Sequence, residues 1–216
     1  MYQALLFDLD DTLYDLRSYW RDRLRRSLDL VIPHFPQFDR EELVRTALSQ
    51  RVYMAHWPQF LRSLGVADEE LIAHTHRVFC EGWFDEMHLY PETPAVLKAL
   101  GERYRLGLIT NGPSDIQRRK IERFELSNYF EILVVSEEVG VEKPDPSIFL
   151  TTLERLGVPP TQALYVGDSP EFDLRGAAAA GMDAIWMNPR RAVLPTDLTP
   201  PRAMIERLAD LLDVLA

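Results

Sequence analysis

The spacing of hydrophobic positions along this chain changes once, near residue 14, and changes back near residue 90. Ala4-Leu5-Leu6-Phe7 is an unbroken apolar run, the pattern of a strand buried on both faces, and it stops abruptly at Asp8-Leu9-Asp10-Asp11-Thr12. From Tyr14 the apolar positions recur at helical spacing. Trp20, Leu24, Leu28 and Ile32 share one face of a helix that Asp15 or Ser18 opens and Pro33 and Pro36 close. Asp39 opens a second helix through Leu43, Ala47 and Val52. A third lies around Phe60 and Leu64 and closes at Gly65, and Asp68 caps a fourth through Leu71, Ile72, Thr75 and Phe79. Tyr14 to about His88 therefore reads as a four-helix bundle without a strand.

From Tyr90 helices and strands alternate. The pattern predicts helix over 93–100 and strand over 106–110, helix over 115–124 and strand over 132–136. Helix over 147–156 and strand over 163–166 follow, then helix over 171–180 and strand over 184–187, with a last helix over 202–215. With Ala4–Leu9 this makes five strands. The fold class is α/β, a doubly wound, mainly parallel, five-stranded Rossmann-like sheet with an inserted helical bundle. Residues 1–13 and 89–216 form the α/β core and residues 14–88 the insert. Such sheets bind ligands outside the carboxyl ends of their strands.

Composition narrows the ligand. The 216 residues include 34 acidic and 24 basic side chains, for a net charge of -10, which disfavours nucleic-acid polymers and anionic membranes as partners. An anionic small molecule would need a local cation. The single cysteine, Cys80, excludes an internal disulfide, no apolar run reaches the about 18 residues of a membrane span, and the expected address is the cytoplasm.

The strand ends carry the candidate chemistry. The first ends in Asp8 and Asp10, carboxylates that are costly beside a buried strand unless a cation or hydrogen bonds compensate them. The second ends in Thr110-Asn111-Gly112 with Ser114 or Asp115 opening a helix, a set that is either a phosphate cradle or an ordinary turn. After the third comes Lys143, its loop stiffened by Pro144 and Pro146. The fourth ends in Gly167-Asp168-Ser169-Pro170-Glu171-Phe172-Asp173, whose carboxylates serve either as helix caps or as holders of a hard cation.

In this order on a parallel sheet, Asp8-Leu9-Asp10-Asp11-Thr12, Thr110-Asn111-Gly112, Lys143-Pro144 and Gly167 to Asp173 resemble the four motifs of the haloacid dehalogenase (HAD) superfamily of phosphatases. The resemblance runs nearly end to end and makes the insert the family's helical cap, with no room for a second cap between Ser136 and Ala163. It implies that Asp8 is the nucleophile, forming an aspartyl-phosphate, and that Asp10 is general acid and then base. It further implies Mg²⁺ held by the Asp8 carboxylate, the Asp10 main-chain carbonyl and Asp168, with Thr12 and Asp173 in support and Asp173 holding Lys143 or lying close by. Lys143, Thr110 and main-chain N–H groups near Leu9 and Asn111 would bind the phosphoryl oxygens. Asp11 stands where many relatives have glycine, although the Asp-Asp-Thr form also occurs. The dehalogenases of the superfamily lack a carboxylate at the position of Asp10, so its presence argues for phosphate chemistry.

The implied partner is a small phosphorylated metabolite; oligomeric state is not legible. Val135-Ser136-Glu137-Glu138-Val139-Gly140 and Trp186-Met187-Asn188-Pro189 resemble the pyrimidine 5′-nucleotidase-like branch, and both lie outside any plausible pocket. The insert's aromatics (Trp20, Tyr53, His56, Trp57, Trp83, Phe84) serve either as a platform for a nucleobase, with Arg17 or Arg51 nearby, or as the insert's own core. Nucleoside 5′-monophosphates are the expected substrates. Phosphoglycolate and sugar phosphates are the alternatives, a mutase is less expected, and a non-catalytic phospho-ligand sensor is the alternative from another class.

Overall fold

In the computed structural model every residue except Arg51 is described. The chain forms two compact units, Met1–Asp15 with His88–Ala216, and Leu16–Met87. Six strands build the first: β1 (Ala4–Phe7), β2 (Arg105–Thr110), β3 (Ile132–Val135), β4 (Ala163–Gly167), β5 (Asp183–Met187) and β6 (Ala203–Ile205). Their order is β3-β2-β1-β4-β5-β6 and every neighbouring pair is parallel. β1 is central, with all four residues fully buried between β2 and β4. Gly107 of β2 sits beside Leu6, where a Cβ would come within 2.6 Å of the leucine methyl. Strands are added on one side of β1 up to β3 and on the other from β4 onward. The order therefore switches between β1 and β4, which puts the crevice at the ends of these two strands.

The second unit holds α1 (Leu16–Val31), α2 (Arg40–Ser49), α3 (Trp57–Ser63) and α4 (Glu69–Cys80). Its core is the apolar stripe of each helix: Trp20, Leu24 and Leu28 of α1 pack with Leu43, Ala47, Trp57, Ile72 and Phe79. Asp39 and Asp68 cap α2 and α4, accepting main-chain N–H bonds from Glu42 (2.7 Å) and from Glu70 and Leu71 (3.0 Å each). Arg23 is buried among these apolar residues. Its Nε donates to the Phe79 carbonyl at 2.8 Å, its Nη1 to Glu86 at 3.1 Å and its Nη2 to the Glu81 carbonyl.

Around the sheet lie α5 (Thr93–Gly101), α6 (Ser114–Arg123), the short α7 (Ser136–Val139), α8 (Pro146–Leu156), α9 (Arg175–Ala179) and α10 (Asp210–Val214). The C-terminal segment departs from expectation. The helix predicted over 202–215 is instead β6 followed by the five-residue α10, so the sheet has six strands, not five. The Arg202 N–H donates to the Ala184 carbonyl at 2.8 Å and the Asn188 N–H to the Ile205 carbonyl at 2.7 Å. Pairing with the open edge of β5 outweighed the helical spacing of Leu208, Leu211 and Leu215. Met204 consequently faces solvent at 62% exposure while Ile205 is buried. The helix expected over 171–180 is divided into a π-helical turn at Pro170–Leu174 and α9.

Candidate active site

Asp8 is the first residue past β1, and its N–H still donates to the Val166 carbonyl of β4 at 2.9 Å. Its side chain therefore emerges at the switch point, 6% exposed. Lys143, also buried, donates from Nζ to Asp8 Oδ1 at 2.6 Å, to Asp173 Oδ1 at 2.7 Å and to the Tyr165 hydroxyl at 3.0 Å. The loop that carries this lysine is fastened to the end of β2. Asn111 accepts from the Lys143 N–H and donates to its carbonyl, both at 2.9 Å. Thr12 lies 3.5 Å from the second oxygen of Asp8.

At the end of β4, Asp173 accepts from the Ser169 N–H at 2.9 Å. Gly167 is required here, because a Cβ would collide with the Asp173 carboxylate. Asp168 is fixed through its main chain, whose carbonyl accepts from Trp186 Nε1 at 2.7 Å. Asp8, Asp168 and Asp173 offer carboxylate oxygens that all lie within 4.8 Å of one another. These are hard oxygen donors without cysteine or histidine, and one lysine cannot neutralise three carboxylates, so the set fits a hard divalent cation.

The electrostatics follow. Burial pushes Asp8 up to about 7; Lys143 opposes this, and the neighbouring Asp173 and Asp10 add to it. Burial likewise holds Asp168 well above the carboxylate range, with Asp173 and Asp8 reinforcing it. Burial works against the Lys143 ammonium, but Asp173 and Asp8 outweigh it and keep the lysine charged.

Asp10 is directed elsewhere. Both of its oxygens meet Lys120 Nζ at 2.9 Å, the Tyr14 hydroxyl donates to Oδ1, and Gln117 Nε2 donates to Oδ2 at 3.2 Å. The Gln117 amide also reaches the Thr110 hydroxyl, which is 1% exposed. The Leu9 side chain is fully buried, which leaves only its main chain for a ligand. Asp11 adopts φ 58°, a left-handed conformation that glycine takes freely and aspartate tolerates.

Sequence reasoning overlooked three of these groups. Gln117 and Lys120 belong to α6, whose buried face is Gln117, Lys120 and Ile121, continued by Phe124 just past its end. Extending the period backward from Phe124 and Ile121 would have marked two polar residues at core positions, and that was the available signal. Arg190 was missed because the stretch after β5 was placed away from any pocket. Its guanidinium lies 3.6 Å from Asp11, 3.8 Å from Asp15 and 3.9 Å from Asp168.

The helical unit decides one of the open alternatives for its aromatics. Trp57 is fully buried and donates to the Thr75 hydroxyl at 3.1 Å, and Trp20 is 6% exposed against Phe79 and Trp83. Trp57 is thus core and no stacking platform, because its ring faces have packed against Phe60 and Phe79. Arg17 is exposed, and Arg51 lies outside the described residues.

Four strand ends converging on a carboxylate–lysine cluster define a class of hydrolase, and the comparisons agree. The pattern of the haloacid dehalogenase-like hydrolases matches residues 2–181, and the chain belongs to that family. It is 34% identical to glyceraldehyde 3-phosphate phosphatase of Methanopyrus kandleri, over 100% of this chain and 97% of that protein. It is 40% identical to pyrimidine 5′-nucleotidase YjjG of Escherichia coli over 51% of this chain and 49% of that one. The crystal structure of 2-haloacid dehalogenase from Pseudomonas syringae pv. Tomato DC3000 superposes with TM-score 0.65 at 32% identity, covering 100% and 98% of the two chains. Within the family this chain is a phosphatase.

Proposed function

We propose that the chain hydrolyses small phosphomonoesters with Mg²⁺ through an aspartyl-phosphate on Asp8. The observation that carries this reading is the placement of Asp8 at the switch point, gripped by Lys143 on one oxygen, with the Asp10 carboxylate held separately. Asp8 attacks phosphorus, the new O–P bond forms as the ester O–P bond breaks, and Asp10 protonates the departing oxygen. Asp10 then takes a proton from water, whose oxygen attacks the phosphorus of the acyl phosphate, returning Asp8 and releasing inorganic phosphate. Lys143, Thr110 and the main-chain N–H groups of Leu9 and Asn111 bear the charge on the transferring group, each worth about 3–4 kcal/mol. Asp8, Asp168 and the Asp10 main-chain carbonyl would hold Mg²⁺, which supplies positive charge to the phosphoryl oxygens. Thr12 and Asp173 keep Asp8 and Lys143 in place. The carboxylate at Asp10 favours phosphatase over dehalogenase chemistry, because only an alkoxide leaving group calls for a proton. The inserted helical unit is assigned the role of a cap that excludes water and limits substrate size.

For the substrate, nucleoside 5′-monophosphates are supported by the likeness to the nucleotidase, which covers half of this chain. A triose or sugar phosphate is the second reading, favoured by the burial of Trp57 and by the full-length likeness to a triose-phosphate phosphatase. Among the described residues no helix is long and apolar enough to cross a membrane, and Cys80 is a free thiol, which supports a cytoplasmic setting. The test is turnover of p-nitrophenyl phosphate, which separates an enzyme from a sensor. Excess chelator is expected to abolish it, Mg²⁺ to restore it and Ca²⁺ not to. A panel of nucleoside monophosphates, glyceraldehyde 3-phosphate, phosphoglycolate and hexose phosphates then ranks kcat/KM. A tenfold lead for a non-nucleotide ends the nucleotidase reading.

A further inference from the structure

Lys120 is a buried ammonium that the chemistry above does not use. Its side chain is 4% exposed, and Asp10 is its one carboxylate partner among the described residues. Both Asp10 oxygens lie at the same 2.9 Å from Nζ, so the ammonium sits astride the carboxylate. Gln117, one turn earlier on α6, donates from a single amide nitrogen to Asp10 and to Thr110. Burying a lysine and a glutamine on the core face of a helix is costly unless their polar atoms are used, and among the described residues the side-chain hydrogen bonds of both end on Asp10 or Thr110. The arrangement also restricts Asp10 itself. Its oxygens receive donors from α6 on one side and from Tyr14 on the other, which fixes the plane of the carboxylate.

We propose that Lys120 and Gln117 are positioning residues for Asp10: α6 is the element that aims the proton donor and couples it to Thr110 at the end of β2. The proposal rests on the reading of Asp10 as general acid. A carboxylate on a single Cβ has two free torsions, and proton transfer needs it within about 0.5 Å of its productive place. A lysine held by the core restrains it as solvent cannot. The consequence is chemical and depends on the ester. A poor leaving group needs the proton and so feels a misaimed Asp10, whereas a good one departs without help.

The experiment compares phenyl phosphate with p-nitrophenyl phosphate, two esters of similar size of which phenol is much the poorer leaving group. kcat/KM is read because it reports steps through phosphoryl transfer to Asp8 and not the later hydrolysis. Asp10→Asn is expected to lose far more on phenyl phosphate than on p-nitrophenyl phosphate. Lys120→Met is expected to do the same, with about tenfold to a hundredfold greater loss on the phenyl ester, within the range of a general acid's contribution. Lys120→Arg, which keeps a charged donor, is expected to recover part of the difference. Equal losses on both esters for Lys120→Met, with Asp10→Asn selective, would overturn the positioning role and leave Asp10 as the acid. Equal losses for Asp10→Asn would remove the general-acid reading and this inference with it. If Lys120→Met fails to fold, as judged by circular dichroism, Gln117→Met is measured instead, and the same selectivity decides.

Discussion

Each of the two units buries a cation, and they satisfy it in different ways. In the helical unit Arg23 gives two of its three bonds to main-chain carbonyls and the third to Glu86, a residue at the surface. Carbonyls do not titrate, so the site is complete and inert. In the α/β unit Lys143 gives two of its bonds to buried carboxylates, and a third carboxylate, Asp168, lies within reach. There three carboxylates share one buried lysine, with Arg190 3.9 Å from Asp168, and burial raises the pKa of Asp8 and Asp168, so a further cation is what would hold the set ionised. Between Arg23 and Lys143 the difference lies in the partners: neutral carbonyls close the one site, whereas buried carboxylates leave the other open to a further cation.

The largest way to break this contrast is Asp8→Asn. The amide keeps the shape but is no nucleophile, so kcat/KM on any phosphomonoester is expected to fall by at least about a thousandfold while the circular dichroism spectrum is unchanged. Activity within tenfold of wild type would refute the aspartyl-phosphate. A paired test comes next. Arg23→Met is expected to cost about 2–4 kcal/mol of stability, because it leaves the Phe79 and Glu81 carbonyls without their donor, and to be seen as a lowered urea midpoint. Lys143→Met is expected to reverse the order of effects, lowering activity far more than the midpoint. If Arg23→Met spares stability, the helical site is not the closed one described.

The smallest effect concerns pH. In the metal-free fold Asp8 titrates at about 7 against an ordinary 3.8. Between those values the folded protein keeps a proton that the unfolded chain has released, so the stability Asp8 contributes falls as pH rises from about 4 to about 7. Asn at this position does not titrate. In chelator, the Tm of wild type is therefore expected to drop by several degrees relative to Asp8→Asn across that window and to run parallel above it. A Tm difference that stays constant from pH 4 to 8 would show that burial does not raise this carboxyl.

What was legible in the chain follows from the same physics. Parallel strands buried on both faces are continuous apolar runs, so Ala4–Phe7 and Ala163–Gly167 stood out, and the first polar residue after each was bound to fall at the sheet's ligand-binding edge. Asp39 and Asp68 stood out because a cap is a local signal. Gln117 and Lys120 did not, because a polar residue inside a polar-looking helix reads as solvated until the buried face is assigned. Residues 203–205 were read as helix because an edge strand of three residues carries too short a pattern to outvote the leucines after it. Arg190 follows Trp186 to Pro189, a stretch read as a mark of kinship away from any pocket, and only the packing of the loop brings it to Asp11 and Asp168.

The position of β1 in the sheet has a consequence for how the protein is made. As the chain leaves the ribosome, β1 emerges ahead of the whole helical unit, yet its hydrogen-bonding partners are β2 and β4, which emerge after it. The helical unit is continuous in sequence, so its packing of α1 against α4 can form once residue 87 has emerged, whereas β1 must wait, an apolar strand with both edges open. Until Lys143 has been synthesised, Asp8 is also without the lysine that faces it. The segment most exposed to misassembly during translation is thus the one that ends at the centre of the sheet. The charges just beyond it, Asp8, Asp10 and Asp11, flank the apolar run, and flanking charges of this kind disfavour pairing between exposed strands.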